Sequence, residues 1–280
     1  ERKRFGWSTA FTIAHNRQRV DDIGAESYVT TVSSPGSVNY MMYGYKAGYP
    51  VNALWGFEYA GTVKTVEEYR ESTITHQYVY QNSMSDSNCL GHSKYVDQNK
   101  DGILDTNDLV FLGDGDPIIT GGLQNDFHIG QLKIGFFFEY SYGGKIYNYA
   151  QLAMGGGART NQYRFMLDAW HPTRNPQSDI PKAGDSNSYL LPSSYAVYDS
   201  SFIRFKDLTV QYTFDLRKNN KVIRNIILGV TASNLYLWTN YIGYDPDVSS
   251  EADSGTILRR VDMATYPRAR KVVMSLQVGF

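Results

Sequence analysis

KVVMSLQVGF, residues 271–280, places Val272, Met274, Leu276, Val278 and Phe280 at every second position. Between them stand Lys271, Val273, Ser275, Gln277 and Gly279, mostly small or polar. A period of two marks a strand with one apolar and one wet face. The run reaches the last residue, an aromatic, although the ends of domains ordinarily fray. That end is therefore expected to be held in a sheet. Two readings stay open on this stretch alone: the final strand of a soluble β domain, or the closing strand of a membrane barrel.

The same period recurs along the chain. In residues 5–14, Phe5, Trp7, Phe11 and Ile13 alternate with Gly6, Ser8, Ala10, Thr12 and Ala14. Trp55, Phe57 and Tyr59 alternate with Gly56, Glu58 and Ala60, which predicts a second strand ending near Gly61. Further strands are predicted at about 120–129, 132–143, 201–214 and 226–239, making seven with the last. The clearest is 132–143, where Leu132, Ile134, Phe136, Phe138, Tyr140 and Tyr142 interleave with Lys133, Gly135, Phe137, Glu139, Ser141 and Gly143. A tight turn at Gly130 and Gln131 precedes it. A short basic connection with Arg217, Lys218, Lys221 and Arg224 joins the fifth and sixth strands. Short helices are expected within 66–70, 147–154 and 165–170, with Gly155, Gly156 and Gly157 as flexible chain.

The links alternate in kind. Residues 62–118, 144–199 and 241–267 are long and polar, and the others are shorter. Long loops on one rim and short turns on the other are the plan of a transmembrane barrel. Strands of about 9 to 13 residues suit a tilted membrane crossing. The wet faces carry Gly, Ser, Thr and Gln with scattered charges, closer to a water-filled lumen than to the outside of a soluble barrel.

Composition narrows the classes. The net charge of -1 sets up no field that would draw in nucleic acid. The single Cys89 rules out an internal disulfide and multi-thiolate metal sites. Tyrosine is abundant, 23 of 280 residues, as in an aromatic belt at a membrane interface; a Tyr-rich carbohydrate-binding sandwich would share that composition. No apolar run reaches the roughly 18 residues of a membrane helix, and a mean hydropathy of -0.41 is compatible with barrel strands that are half wet. The chain opens Glu1-Arg2-Lys3-Arg4 without a leader-like segment and passes straight to Phe5, so it is expected to be a piece of a longer polypeptide.

One motif points to a ligand. Residues 97–108 follow the D-x-[DN]-x-[DN]-G spacing of a calcium loop. Asp97, Asn99 and Asp101 would give side-chain oxygens and Ile103 its carbonyl. Asp105 would act through water, Asp108 would fill the twelfth place, and Gly102 permits the turn. Four carboxylates this close repel one another unless a hard cation neutralises them. Asp108 stands where an EF-hand has Glu, and its shorter arm weakens bidentate ligation. The flanks read as extended, so the expectation is a structural Ca2+ clip rather than a sensor; an ion-free Asp/Gly turn is the alternative. The five histidines (His15, His76, His92, His128, His171) show no ligand spacing, and no Ser or Cys stands in a nucleophile motif. Acidic pairs alone specify nothing, so no enzymatic activity is expected.

Several stretches, in this order and spacing, resemble the C-terminal part of the SusC/RagA family of TonB-dependent outer-membrane transporters. They are YVDQNKDGILD (95–105), GDGDP (113–117), TGGLQNDF (120–127), SFIRFKDLTV (201–210), ASNLYLWT (232–239), GYDP (243–246) and YPRAR (266–270). The likeness covers nearly the whole chain. It implies an all-β fold, the last strands of an antiparallel transmembrane barrel of about 22 strands, with residues 62–118, 144–199 and 241–267 as extracellular loops. It further implies a Gram-negative, Bacteroidetes-type outer membrane. The expected partners are a plug and earlier strands outside this chain, a SusD-like surface lipoprotein, the TonB complex reached through the N-terminal part, and an oligosaccharide or peptide substrate. Nucleic acid is not an expected partner. The competing reading is a secreted β-rich carbohydrate-binding domain with a structural calcium site, which would need a closed core of its own.

Overall fold

The computed structural model describes residues 5–24, 28–33, 39–71, 85–154, 161–183, 191–217, 222–251 and 257–280. Its frame is a six-stranded sheet in which neighbours in space are neighbours in sequence order. The strands are β1 (Phe5–Ala14), β2 (Ile119–Ile129), β3 (Leu132–Tyr142), β4 (Phe202–Asp215), β5 (Asn225–Thr239) and β6 (Lys271–Gly279). Every pairing is antiparallel. An antiparallel meander puts successive links on opposite rims. Residues 15–118, 143–201 and 240–270 therefore share one rim, and the turns at 130–131 and 216–224 share the other.

The register carries the alternation across the sheet. Phe5, Ile129, Leu132, Tyr212, Leu228 and Leu276 form one cross-strand row, and Trp7, Phe127, Ile134, Val210, Val230 and Met274 the next. One step along, Gly6, His128, Lys133, Gln211, Gly229 and Ser275 form a row on the opposite face. In β4 the register slips between Phe205 and Asp207. That bulge keeps Phe205 and Leu208, three residues apart, on the apolar side, opposite Phe138 and Phe136.

Among the described residues no layer covers the apolar face: Trp7, Phe11, Val272, Met274 and Leu276 are all more than half exposed. Its rings form a stripe across the strands, with Trp7 on Phe127, Phe127 on Phe136, and Phe138 stacked on Phe205 at 4.7 Å. Two polar groups on this side bond within the sheet. The Trp7 indole donates to Asn125 Oδ1 at 3.0 Å, and Tyr140 reaches over Gly121 to donate its hydroxyl to Thr12 O at 3.0 Å. A Cβ on Gly121 would stand 2.1 Å from that carbonyl, so only glycine fits there.

One expectation is corrected. Residues 53–61 are not a wall strand. Ala53–Gly56 pairs with Val110–Asp114, and Tyr59–Thr62 with Ser93–Tyr95, inside the first long link. Residues 53–57 are buried on both sides, whereas Glu58 and Ala60 face solvent within the same folded link. The wall thus has six strands, and the first excursion starts at residue 15 instead of 62. A closed core for a soluble sandwich is also missing from the wall. Nearly all buried apolar side chains lie in the excursions, with Phe202 the exception.

The remaining differences are small. Strand ends agree within a residue or so. Helix α1 (Val66–Glu71) stands where expected, residues 145–148 are strand before helix α2 (Tyr149–Met154), and a 3-10 turn occupies Arg164–Asp168. Gly155 to Gly157, Lys218, Lys221 and His76 lie outside the described residues.

Candidate functional site

The face opposite the apolar one is built for water. Ser8, Gln124, Asp126, His128, Lys133, Glu139, Thr209 and Gln211 line it. Gln124 Nε2 donates to the Asp126 carboxylate at 3.2 Å, and Ser233 Oγ to Asp207 Oδ1 at 2.6 Å. Glycines between them let these side chains lie flat: a Cβ on Gly135 would stand 2.7 Å from Asp126 Oδ1. A trough of about 680 Å³ runs along Asp126, His128, Lys133, Thr209 and Gln211. A second, of about 520 Å³, lies towards the short turns among Lys133, Thr213, Arg217 and Arg224. Mixed charge and uncharged hydrogen-bonding groups make a surface that stays hydrated and offers weak contacts to polar solutes.

The three excursions fold together above one end of this face. Leu54 of the first, Tyr147 and Ala196 of the second and Val261 of the third form one buried cluster. A second joins Phe57, Tyr95 and Leu104 to Leu191, and a third joins Ile146 to Tyr241 and Val248. Lys145–Asn148 pairs with Val197–Asp199 on one side and with Val261–Asp262 on the other. Three tyrosine hydroxyls in this body donate to acceptors within it: Tyr59 to Asp179 O (2.7 Å), Tyr198 to Gln151 Oε1 (2.6 Å) and Tyr241 to Asp262 Oδ2 (2.7 Å). Burial pushes Tyr59, Tyr95 and Tyr241 well above the ordinary tyrosine range, with the Asp262 carboxylate adding to it at Tyr241. Burial likewise pushes Tyr195 up to about 12.

Where this body meets the wall, charges alternate. Arg204 of β4 and Asp245 of the third excursion are each 3% exposed, and Arg204 Nη2 donates to Asp245 Oδ1 at 2.7 Å. The same oxygen accepts the Asp247 amide at 2.9 Å, closing a turn around Pro246. Arg268 bonds Asp247 at 2.7 Å and lies 3.7 Å from Asp245. Arg260 donates to Pro246 O at 3.0 Å. On the wall side, Glu139 Oε2 lies 3.2 Å from Lys206 and 3.9 Å from Arg204. Both residues lie in stretches with a recognisable pattern, but their pairing is not visible along the chain. The signal present was an arginine inside an apolar strand and an aspartate before proline, 41 residues apart.

The acidic loop closes on its own donors. Asp97 accepts the amides of Lys100 (2.7 Å) and Gly102 (2.8 Å). Asp101 accepts Ile103 N and Asn99 Nδ2, both at 2.8 Å. Asp105 accepts Asn107 N and Nδ2, and the fully buried Asp108 accepts Gln98 N at 2.9 Å and Asp105 N at 2.8 Å. Each of the four carboxylates thus uses both oxygens. An ionised oxygen keeps a further lone pair after one such bond. Lys100 and Gly102 take positive φ to make the turn, and Leu104 anchors the loop in the second cluster. Among the described residues no three His, Cys, Asp or Glu side chains gather as a metal-holding group.

Comparison with known proteins fits this geometry. No family model matches the chain. It is 29% and 28% identical, over 99% of its length, to the TonB-dependent receptors P26 and P3 of Formosa agariphila. It is 22% identical over 72% of its length to the TonB-dependent receptor SusC of Bacteroides thetaiotaomicron. By sequence, the chain is similar to TonB-dependent receptors, SusC among them. It spans 27% of the length of the two Formosa receptors. Its whole length also superposes on 27% of a chain of the RagAB peptide transporter, with a TM-score of 0.72 at 21% identity. For the RagAB peptide importer in its open-open state the values are 0.70 and 20%. At such identities the structural likeness shows the fold alone: antiparallel wall of a receptor barrel. TonB-dependent receptors are outer-membrane proteins and not enzymes.

Proposed function

We propose that this chain is the C-terminal wall and external loops of a TonB-dependent importer of oligosaccharides or peptides. In this reading the remaining strands, about 16 of about 22, pair with the free edges of β1 and β6, and a plug fills the barrel. A SusD-like lipoprotein caps the rim formed by the three excursions, and the TonB complex acts on a part of the polypeptide outside this chain. The observation that carries it is the continuous apolar face backed by a hydrated one, with every long link on one rim. The test is made on the full-length receptor in outer membranes. Deleting it is expected to abolish uptake of an oligosaccharide or peptide that the cells otherwise import, and affinity capture of the receptor is expected to bring down a surface lipoprotein. Undiminished uptake of both classes would overturn the reading.

We also propose that the loop at 97–108 holds Ca2+ through Asp97, Asn99, Asp101, the Ile103 carbonyl, Asp105 and Asp108. Support comes from the spacing and from lone pairs that remain on the carboxylates. A bound cation would lower the mutual repulsion of four charges held between β-structured flanks.

A further inference from the structure

We infer that Arg204 is a positioning residue: its ion pair with Asp245 ties the folded body of the three excursions to the wall and sets where that body stands over the hydrated face. The excursions share their apolar clusters with one another, and only Phe202 among wall residues is a buried apolar side chain. Packing therefore holds the body together but does little to fix it to the sheet. Among the described residues, the pair at 2.7 Å is the contact between them that is both charged and buried on each side. Each partner has a weaker second neighbour, Glu139 at 3.9 Å for Arg204 and Arg268 at 3.7 Å for Asp245.

The receptor for Arg204 is preformed. Gly243 leaves room for the Tyr241 ring, which would lie 2.4 Å from a Cβ there. Pro246 biases Asp245 away from helical backbone, and the Asp247 amide orients the accepting oxygen. Arg204 lies over the Phe202 ring at 5.1 Å, which fixes the guanidinium plane from the wall side. A planar fork held in this way acts as a locator, a role that a flexible ammonium fills poorly. The pair would hold the body to the wall in the same way whether the importer proposed above takes glycans or peptides.

Hydrogen exchange by mass spectrometry on the full-length receptor in lipid nanodiscs tests it. Arg204→Gln and Asp245→Asn are each expected to speed exchange at 241–248 and 257–268 by about tenfold or more, as a buried charge left without its partner implies. Strands β3 to β5 should keep their protection. The double variant should be no worse than either single, because one interaction is lost in all three. Arg204→Lys should recover part of the protection. Unchanged exchange in the single variants, additive effects, or equal loosening of β3 to β5 would overturn the inference. If Arg204→Gln fails to assemble, an Arg204→Lys receptor whose loop exchange matches wild type would do the same.

Discussion

Val230 and Thr231 are adjacent in β5 but stand on opposite faces, which allows a paired perturbation. Val230 lies between Val210 and Met274, and Thr231 between Thr209 and Val273. Val230 is four residues beyond Ile226, the first residue of the apolar side in β5. Four steps at about 3.3 Å cover about 13 Å of strand, or about 10 Å of height at a tilt near 40°. In an apolar band about 25 Å tall that is close to the midplane, where an arginine costs roughly 2–4 kcal/mol. At about 1.4 kcal/mol per factor of ten, Val230→Arg should shift the folding equilibrium by roughly 30- to 800-fold. Thr231→Arg adds the same side chain to the hydrated face and should cost under about 1 kcal/mol. The assay is urea unfolding of the full-length receptor in lipid vesicles, followed by gel mobility of the folded form. Equal tolerance of the two variants, or a larger loss for Thr231→Arg, would refute the assignment of faces.

Alkaline pH should loosen the rim body. Tyr59, Tyr95, Tyr195 and Tyr241 have raised pKa values when folded, so their contribution is present below the ordinary tyrosine value of about 10 and declines as pH rises past it, through about 12 for Tyr195; protease sensitivity of the loops against pH measures this. Acid should act at another place. Burial raises Glu68, but hydrogen bonds from the Lys64 amide and Lys94 ammonium outweigh it and hold the carboxyl below its ordinary value, so docking of α1 on Ser93–Tyr95 is expected to weaken as pH falls below about 4.5, read by exchange at 66–71. Gly121→Ala should cost about 1–3 kcal/mol through overpacking, because its Cβ would meet Thr12 O and the Tyr140 hydroxyl. Gly6→Ala, whose Cβ would meet only His128 Cβ at 3.7 Å, should be nearly neutral in the same unfolding assay. For the acidic loop, chelator should increase cleavage within 90–118 in the wild type, whereas Asp97→Ala with Asp101→Ala should be equally sensitive with and without it; chelator-independent cleavage of the wild type would count against the cation.

Much of this architecture is legible in the sequence because a barrel wall is a two-faced sheet. Runs such as 132–143 and 271–280 declare their faces by period alone, and six predicted strands stand in the wall. The period misleads at 53–61 because it cannot tell a wall strand from two short strands inside a folded link: residues 53–57 are buried throughout, while Glu58 and Ala60 are exposed. It also misses the bulge at Phe205 to Asp207, which shifts the phase of β4 without disturbing its composition. The excursions read as polar insertions because each contributes only a few apolar residues to a core assembled from all three, as with Leu54, Tyr147 and Val261. The acidic loop is legible by spacing, whereas Arg204 and Asp245 meet only through the docking of distant segments.

Site-directed spin labelling along β6 of the full-length receptor in lipid, in a Cys89→Ser background, tests the central claim most directly. Labels placed one at a time at 272 to 278 report collision with oxygen, which concentrates in the bilayer, and with a water-soluble nickel chelate. Oxygen access should peak at Val272, Met274, Leu276 and Val278, and chelate access at Val273, Ser275 and Gln277. A flat profile, or chelate access peaking at Val272, Met274 and Leu276, would contradict a wall whose apolar side meets lipid.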